Sequence, residues 1–187
     1  TAAAFDEEGW LKTGDAVRLA EPDYPAAGLV FDGRTAENFK LSSGTWVNVG
    51  TLRTIAIAAG APVIEDAVIT GHDRDDLGAI LILDPDGCRG RFSDIAAGVA
   101  PADLAKHSGV RSALAERLAE FARTATGSST RLVRIAVLDD VPSIDKGEVT
   151  DKGSINQRAL LGQRKHIVEA LYDERGHPQV IALETVI

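Results

Sequence analysis

A handful of side chains have the chemistry to hold a phosphorylated ligand. Asp15 follows Thr13 and Gly14, and its carboxylate can accept hydrogen bonds from both hydroxyls of a ribose. A turn aspartate is the plainer reading. Arg34 ends the run DGR at 32–34, and its planar fork of donors fits a ribose or phosphate oxygen, a carboxylate partner, or merely the surface of a turn. Lys40 precedes SSGT at 42–45, where Gly44 lets backbone approach a slender ligand and Ser43, Thr45 and Trp46 would line the same passage. SSGT is equally a β-turn, Trp46 a core aromatic and Lys40 an exposed lysine without a partner. Far downstream, Lys146 and Lys152 bracket Gly147-Glu148 in a polar stretch, either as solvated loop lysines or as mobile point cations for charge on a phosphate.

Other reactive types are less telling. His72, His107, His166 and His177 lack metal-ligand spacing, so no zinc site is expected. Asp73, Asp75 and Asp76 would suit a cation, but an ordinary acidic hairpin loop explains them more simply. Cys88 sits beside Arg89 and Arg91, which would favour a thiolate; without a placed base, a passive cysteine is expected. Arg158 and Arg164 read as helix-surface charge.

The chain that must position these groups has 187 residues, room for one ordinary domain or one domain plus the edge of another. Hydrophobic residues at 44% and charged residues at 26% argue for a folded core. A formal net charge of -8 opposes a broad electrostatic attraction to nucleic acid or an anionic membrane, so any phosphate must be held locally. The single cysteine excludes an internal disulfide, and a reducing, cytoplasmic setting is expected. A run of about 18 apolar residues, the usual minimum for a membrane span, is missing, as is a basic-then-apolar leader. A soluble, untargeted protein follows. Without methionine and opening on TAAAFDEEGW, it reads as a processed product or an internal piece of something longer.

Strand-like runs at 15–19 and 29–32 flank AEPDYPAAG, predicting a hairpin, and a second hairpin is predicted from 39–41 and 46–49. Leu52, Ile55, Ala56 and Ala59 predict a helix over 51–59, stopped by Gly60 and Pro62. Adjacent strands follow at 64–70 and 79–83. From Pro101 onward, Val110, Leu114, Leu118 and Phe121 mark one face of a helix that ends before 127–129; 131–138 is a strand, 139–153 a surface loop, 155–171 a last helix and 177–187 an edge strand. The fold class is α+β, a small sheet with helices over one or both faces.

In this order, GWLKTGD at 9–15, DGR at 32–34, Phe39-Lys40, Gly44 and the loop Pro-Ser…Gly-Glu…Lys at 142–152 resemble the adenylate-forming enzymes. That superfamily comprises acyl- and aryl-CoA synthetases, peptide-synthetase adenylation domains and luciferases. The resemblance runs from Gly9 to about Leu171. It is closest to the feruloyl-CoA synthetases, through GRTAENFKLSSGTWVNVGTLR, TGHDRDD and GEVTDKGSINQR.

The resemblance implies a division at the hinge: residues 1–33 as the end of a large N-terminal domain, residues 34–187 as a mobile C-terminal lid. It puts Asp15 and Arg34 on the ribose of ATP. It puts Lys40 near a phosphate, and Gly44 with Ser43, Thr45 and Trp46 along the pantetheine arm of CoA. The adenylation lysine of the family commonly follows Gly directly, a place held here by Glu148. Relatives with a Gly-x-x-Thr arrangement carry it several residues later, which favours Lys152 over Lys146. Related enzymes carry Asp or Lys at the hinge pivot where this chain has Ala36, and their Pro-x-Glu after the glycine loop is replaced by Val49-Gly50-Thr51. Neither the Gly-rich phosphate loop nor an acyl pocket is recognisable, so the chain alone is expected not to complete the reaction. Implied ligands are ATP, CoA, an aryl or acyl carboxylic acid and magnesium, with the metal ligands in the absent large domain. Two rivals stand beside this reading: an adenylating enzyme that loads a carrier protein, and a noncatalytic nucleotide- or partner-binding module.

Overall fold

Apolar residues run consecutively through the middle of the chain, so the strands there are apolar on both faces and need cover on both. The computed structural model, which describes residues 4–183, supplies it. The chain begins with an antiparallel hairpin, β1 (Asp15–Leu19) and β2 (Leu29–Arg34), joined through a 3-10 turn at Pro25–Ala27. A shorter hairpin follows, β3 (Phe39–Lys40) with β4 (Trp46–Val47). Helix α1 (Val49–Gly60) leads to β5 (Ile64–Thr70) and β6 (Leu77–Leu83). Helices α2 (Pro85–Arg91), α3 (Pro101–Lys106) and α4 (Ser108–Arg123) then cross over to β7 (Leu132–Val137). After a long loop come α5 (Gln157–Gln163), α6 (Lys165–Leu171) and β8 (Val180–Ala182).

The main sheet has the order β5-β6-β7-β8; β6 and β7 are parallel, and the outer pairs antiparallel. Side chains alternate across it with period two. Ala67, Ile69, Leu81 and Ile135 pack towards α1 and α4, against Leu52, Leu114 and Leu118. Val68, Ile80, Ile82 and Ala136 pack towards Leu160, Ile167 and Leu171 of α5 and α6. The result is α+β, a sheet between two helical layers. The β1–β2 hairpin stays outside this core: Val17, Leu29 and Phe31 are 54%, 65% and 62% exposed.

Both hairpins, the strand pair and the edge strand lie where the residue patterns put them; residues 184–187 of the predicted tail strand lie outside the described residues. Four features differ. Helix α1 starts two residues early because Asn48 caps it, its side chain accepting from Thr51 N at 3.1 Å. Strand β6 begins at Leu77 rather than at 79. Helix α2 was not predicted, and the helix predicted from Pro101 onward is two, α3 and α4, parted at His107. The single last helix is two, broken at Arg164, whose backbone leaves the helical region at φ -104°, ψ 33°.

Candidate active site

Gly33 adopts φ +94°, and a Cβ there would lie 3.0 Å from Gly50 Cα, so only glycine lets the end of β2 lie this close to the first turn of α1. Thr35 N and Oγ1 both donate to Gly14 O, at 2.9 and 3.0 Å, tying the two strand ends together. Arg34 is thereby set beside Asp15. Its Nη1 donates to Thr13 O at 3.2 Å and lies 2.7 Å from Asp15 Oδ1, off the hydrogen-bond direction. With Arg34 58% exposed, this is a screened ion pair that a ligand can reach. Ala36, the predicted pivot, sits in the turn closed by Glu37 N donating to Arg34 O.

Arg34 lines a cleft of about 830 Å³ with Gly33, Thr51 and Arg53, and Asp151, Lys152 and Asn156 of the late loop line the same cleft. Lys152 occupies the tip of a miniature hairpin. Val149 and Ile155 form its antiparallel bridge, Thr150 N donates to Ser154 O at 2.9 Å, and Gly153 N to Thr150 O at 3.0 Å. Arg53 is held by a bidentate pair with Asp66, and among the described residues no carboxylate forms an ion pair with Lys152. Lys146 lies on a separate turn, where Gly147 N donates to Ile144 O, and does not line the cleft. Arg18, Glu37, Arg53 and Thr54 also line it. Nothing in the spacing of those residues pointed to the cleft, which forms only when β2, α1 and the late loop meet.

One foot of the Lys152 hairpin is buried. Glu148 is fully enclosed and takes hydrogen bonds from Arg164 Nε at 2.7 Å, Arg164 Nη2 at 3.1 Å and Ser143 N at 2.7 Å. Arg164 Nη1 donates to Asp140 Oδ2 at 2.6 Å. Burial pushes the Glu148 carboxyl up, but the Arg164 and Ser143 hydrogen bonds and the nearby charges of Arg164 and Lys146 outweigh it and hold the group below its ordinary value. Arg164 is therefore not the helix-surface charge predicted; it is 8% exposed and internally paired. Arg158 is exposed.

The β3–β4 turn is elsewhere. Gly44 has φ +81° with open space around it, and its N–H donates to Leu41 O at 2.9 Å. Ser43 Oγ and Thr45 Oγ1 are 2.9 Å apart, and Lys40 Nζ lies 5.7 Å from the centroid of the Trp46 ring. Trp46 is 55% exposed, which overturns its reading as a core aromatic. The turn leans on the acidic loop: Ser42 N donates to Arg74 O at 2.9 Å and Asp73 N to Lys40 O at 3.0 Å. Lys40, Ser43, Gly44 and Thr45 stay together and away from the cleft, while Trp46 lines a second cavity of about 410 Å³ with Thr51 and Phe121.

The weaker candidates are occupied. Asp75 accepts from the Ser42 hydroxyl, Asp76 from Arg134, and Asp73 lies 3.1 Å from His72 Nδ1, so all three loop carboxylates have partners. Arg89 pairs with Asp86, and Arg91 lies over the Phe92 ring. Cys88 is wholly buried; burial, then the Asp84 charge, pushes its thiol up to about 11, the reverse of an activated thiolate. Among the described residues no three His, Cys, Asp or Glu side chains gather to hold a metal, and no helix is long and apolar enough to cross a membrane.

No protein-family model matches the chain. A long-chain-fatty-acid–CoA ligase of Homo sapiens is 27% identical over 193 residues, covering 94% of this chain and 26% of the relative. A chloroplastic long-chain-fatty-acid–[acyl-carrier-protein] ligase of Arabidopsis thaliana is 26% identical over 178 residues, covering 92% and 22%. The solved A-PCP didomain of a carboxylic acid reductase from Segniliparus rugosus, in complex with AMP, aligns with a TM-score of 0.65 at 25% identity, covering 93% of this chain and 22% of that one. The chain thus spans about a quarter of the length of the curated relatives it matches. None of these three is named for a hydroxycinnamate.

Proposed function

We propose that this chain, similar to long-chain-fatty-acid–CoA ligases and to a carboxylic acid reductase adenylation domain, is an adenylate-forming acyl/aryl-CoA ligase family domain: the mobile C-terminal lid of an ATP-dependent, AMP-forming acid–thiol ligase. Residues 1–33 would close the large domain and residues 34–187 would form the lid. The observation that carries this reading is the shared cleft: Arg34 and Lys152, far apart in sequence, both line it. In the first half-reaction a carboxylate oxygen attacks the α-phosphorus of ATP, and the bond to the pyrophosphate oxygen breaks. Asp15 and Arg34 would hold the ribose, and Lys152 would stabilise the charge that develops on the α-phosphate. Magnesium would enter with ATP, held by ligands outside this chain.

In the second half-reaction the lid turns about residues 34–37 and presents the Gly44 turn. Lys40, Ser43, Thr45 and Trp46 would guide the CoA thiol to the acyl carbon, and AMP leaves. The separation of that turn from the cleft supports two presentations of one rigid lid. The exposed apolar face of the β1–β2 hairpin suits packing against a larger body. Ferulate-type acids are the first substrates to test, and long-chain fatty acids the second. The similarity to an acyl-carrier-protein ligase favours one further reading, in which a carrier thiol replaces CoA.

The test measures pyrophosphate and AMP release by the full-length protein that contains this chain, supplied with ferulate or a long-chain fatty acid, ATP, and CoA or a holo-carrier. CoA-dependent AMP release supports the ligase. Carrier-dependent release supports the second reading, and no release with any acid removes both.

A further inference from the structure

The loop between β7 and α5 buries a carboxylate although its neighbours are in water. Lys146, Gly147, Asp151 and Lys152 are exposed, while Glu148 is fully enclosed. An acid is held ionised in such a place only when donors surround it. Glu148 has three, two from the Arg164 guanidinium and one from Ser143 N. Its backbone is tied as well: its N–H donates to Ser143 O at 3.0 Å, and its carbonyl accepts from Asn156 N at 2.8 Å. Glu148 and Asn156 are the two feet of the hairpin whose tip is Lys152.

Arg164 reaches both ends of the loop at once. Its third arm holds Asp140, just past β7, and its own backbone is the break between α5 and α6. The second foot is fixed independently. Asn156 caps α5 by accepting from Ala159 N at 3.2 Å, and the adjacent Gln157 accepts from Ile69 N of β5 at 3.1 Å. Both sides of the hairpin are thus anchored, and its tip residues Asp151 and Lys152 line the cleft.

We propose that Glu148, Arg164 and Asp140 are positioning residues for Lys152: the clasp fixes the feet of the hairpin so that the ammonium is kept at the cleft that Arg34 also lines. This rests on the assignment of Lys152 to the adenylation step. A guanidinium suits the task because its planar fork fixes direction, whereas an ammonium would fix only distance. The consequence is selective. Loosening the clasp should impair the half-reaction that uses Lys152 and spare the one that uses the Gly44 turn, which does not line the cleft.

The experiment uses the full-length protein and measures the half-reactions separately: pyrophosphate release from ATP and acid, and thioester formation from supplied acyl-adenylate and CoA. Arg164→Lys and Glu148→Gln are expected to lower kcat of the first at least tenfold, with KM for ATP changed less than threefold. The second should stay within twofold. Lys152→Ala must lower the first by about 10²–10³; if it does not, the assignment of Lys152 fails and the clasp proposal falls with it. If Lys152→Ala lowers it so and the clasp variants leave it intact, only the clasp proposal is overturned. A parallel fall of both half-reactions would also overturn it, by reducing the clasp to a stabilising contact. Should those variants fail to fold, Asp140→Asn removes one half-exposed arm and is expected to lower the first half-reaction alone, about threefold; no change there overturns the proposal.

Discussion

Replacing Arg164 by Met should expose how much of this fold depends on a single ion pair. The change removes two of the three donors to a carboxylate that has no solvent contact. Breaking one side of such a buried pair costs about 3–5 kcal/mol. The stranded group has an escape, because it can take up a proton. From an ordinary Glu value of about 4.3, staying neutral at pH 7 costs ~1.36 kcal/mol for each of about 2.7 pH units, which caps the penalty near 4 kcal/mol. At about 2–4 °C per kcal/mol for a chain this long, the melting temperature should fall by roughly 6–16 °C. The cap also sets a pH signature. In Arg164→Met the folded-state value of Glu148 is raised, so protonation becomes easier as pH falls. The gap to wild type should narrow between pH 7 and pH 5 by up to about 2.7 kcal/mol. Glu148→Leu with Arg164→Met buries no stranded charge and should recover most of the loss. Urea melts of the three chains at the two pH values provide the assay. A penalty below about 1 kcal/mol for Arg164→Met at pH 7, or a double variant no better than the single, would refute this account of the loop.

In the wild type, Glu148 is held below its ordinary value, so its contribution is present above about pH 4.3 and lost as pH falls through the folded value. Acid melts should show that loss, and Glu148→Gln should lack it. Lys152→Ala should lower pyrophosphate release by the full-length protein by about 10²–10³, as loss of a charge-stabilising group does, while Lys146→Ala, off the cleft, stays within about twofold. Cys88, buried and with its thiol raised to about 11, should resist iodoacetamide at pH 8 in the native chain and react once urea unfolds it. A Cβ on Gly87 would lie 1.9 Å from Pro62 O, so Gly87→Ala must push α2 away from the turn before β5; a loss of roughly 1–3 kcal/mol is expected in the same melts.

Local signals carried the strands and the helix faces well. The β-rich run at 64–70 and the helical spacing from Val110 to Phe121 report burial, and burial decides those elements; the hairpin at 15–19 and 29–32 is marked instead by the turn residues between its largely exposed strands. Helix α2 had an equally readable start that was overlooked: Asp84 caps it, accepting from Asp86 N and Gly87 N, and Pro85 occupies its first position. The break at Arg164 was not readable. The Arg164 side chain pairs there with Glu148 and Asp140, 16 and 24 residues away, a partnership that no spacing within the helix reveals. The candidate site divides the same way. Glycines and lysines at characteristic intervals singled out Arg34, Gly44 and Lys152, whereas Arg18, Arg53 and Thr54 became visible only when β2, α1 and the late hairpin closed one cleft.

The bond from Ile69 N to Gln157 has a consequence beyond fixing α5. Along a strand, N–H groups alternate sides, so Ala67 and Ile69 point theirs to the same margin of β5, away from β6. Both are taken by side chains: Asp66 Oδ1 accepts from Ala67 N at 2.7 Å, and Gln157 Oε1 accepts from Ile69 N at 3.1 Å. An outermost strand with free donors is a template on which another chain can lay down a strand of its own. Here the apolar run at that margin offers a visiting backbone no donor at either position, so two polar side chains guard the sheet against growing past its own boundary.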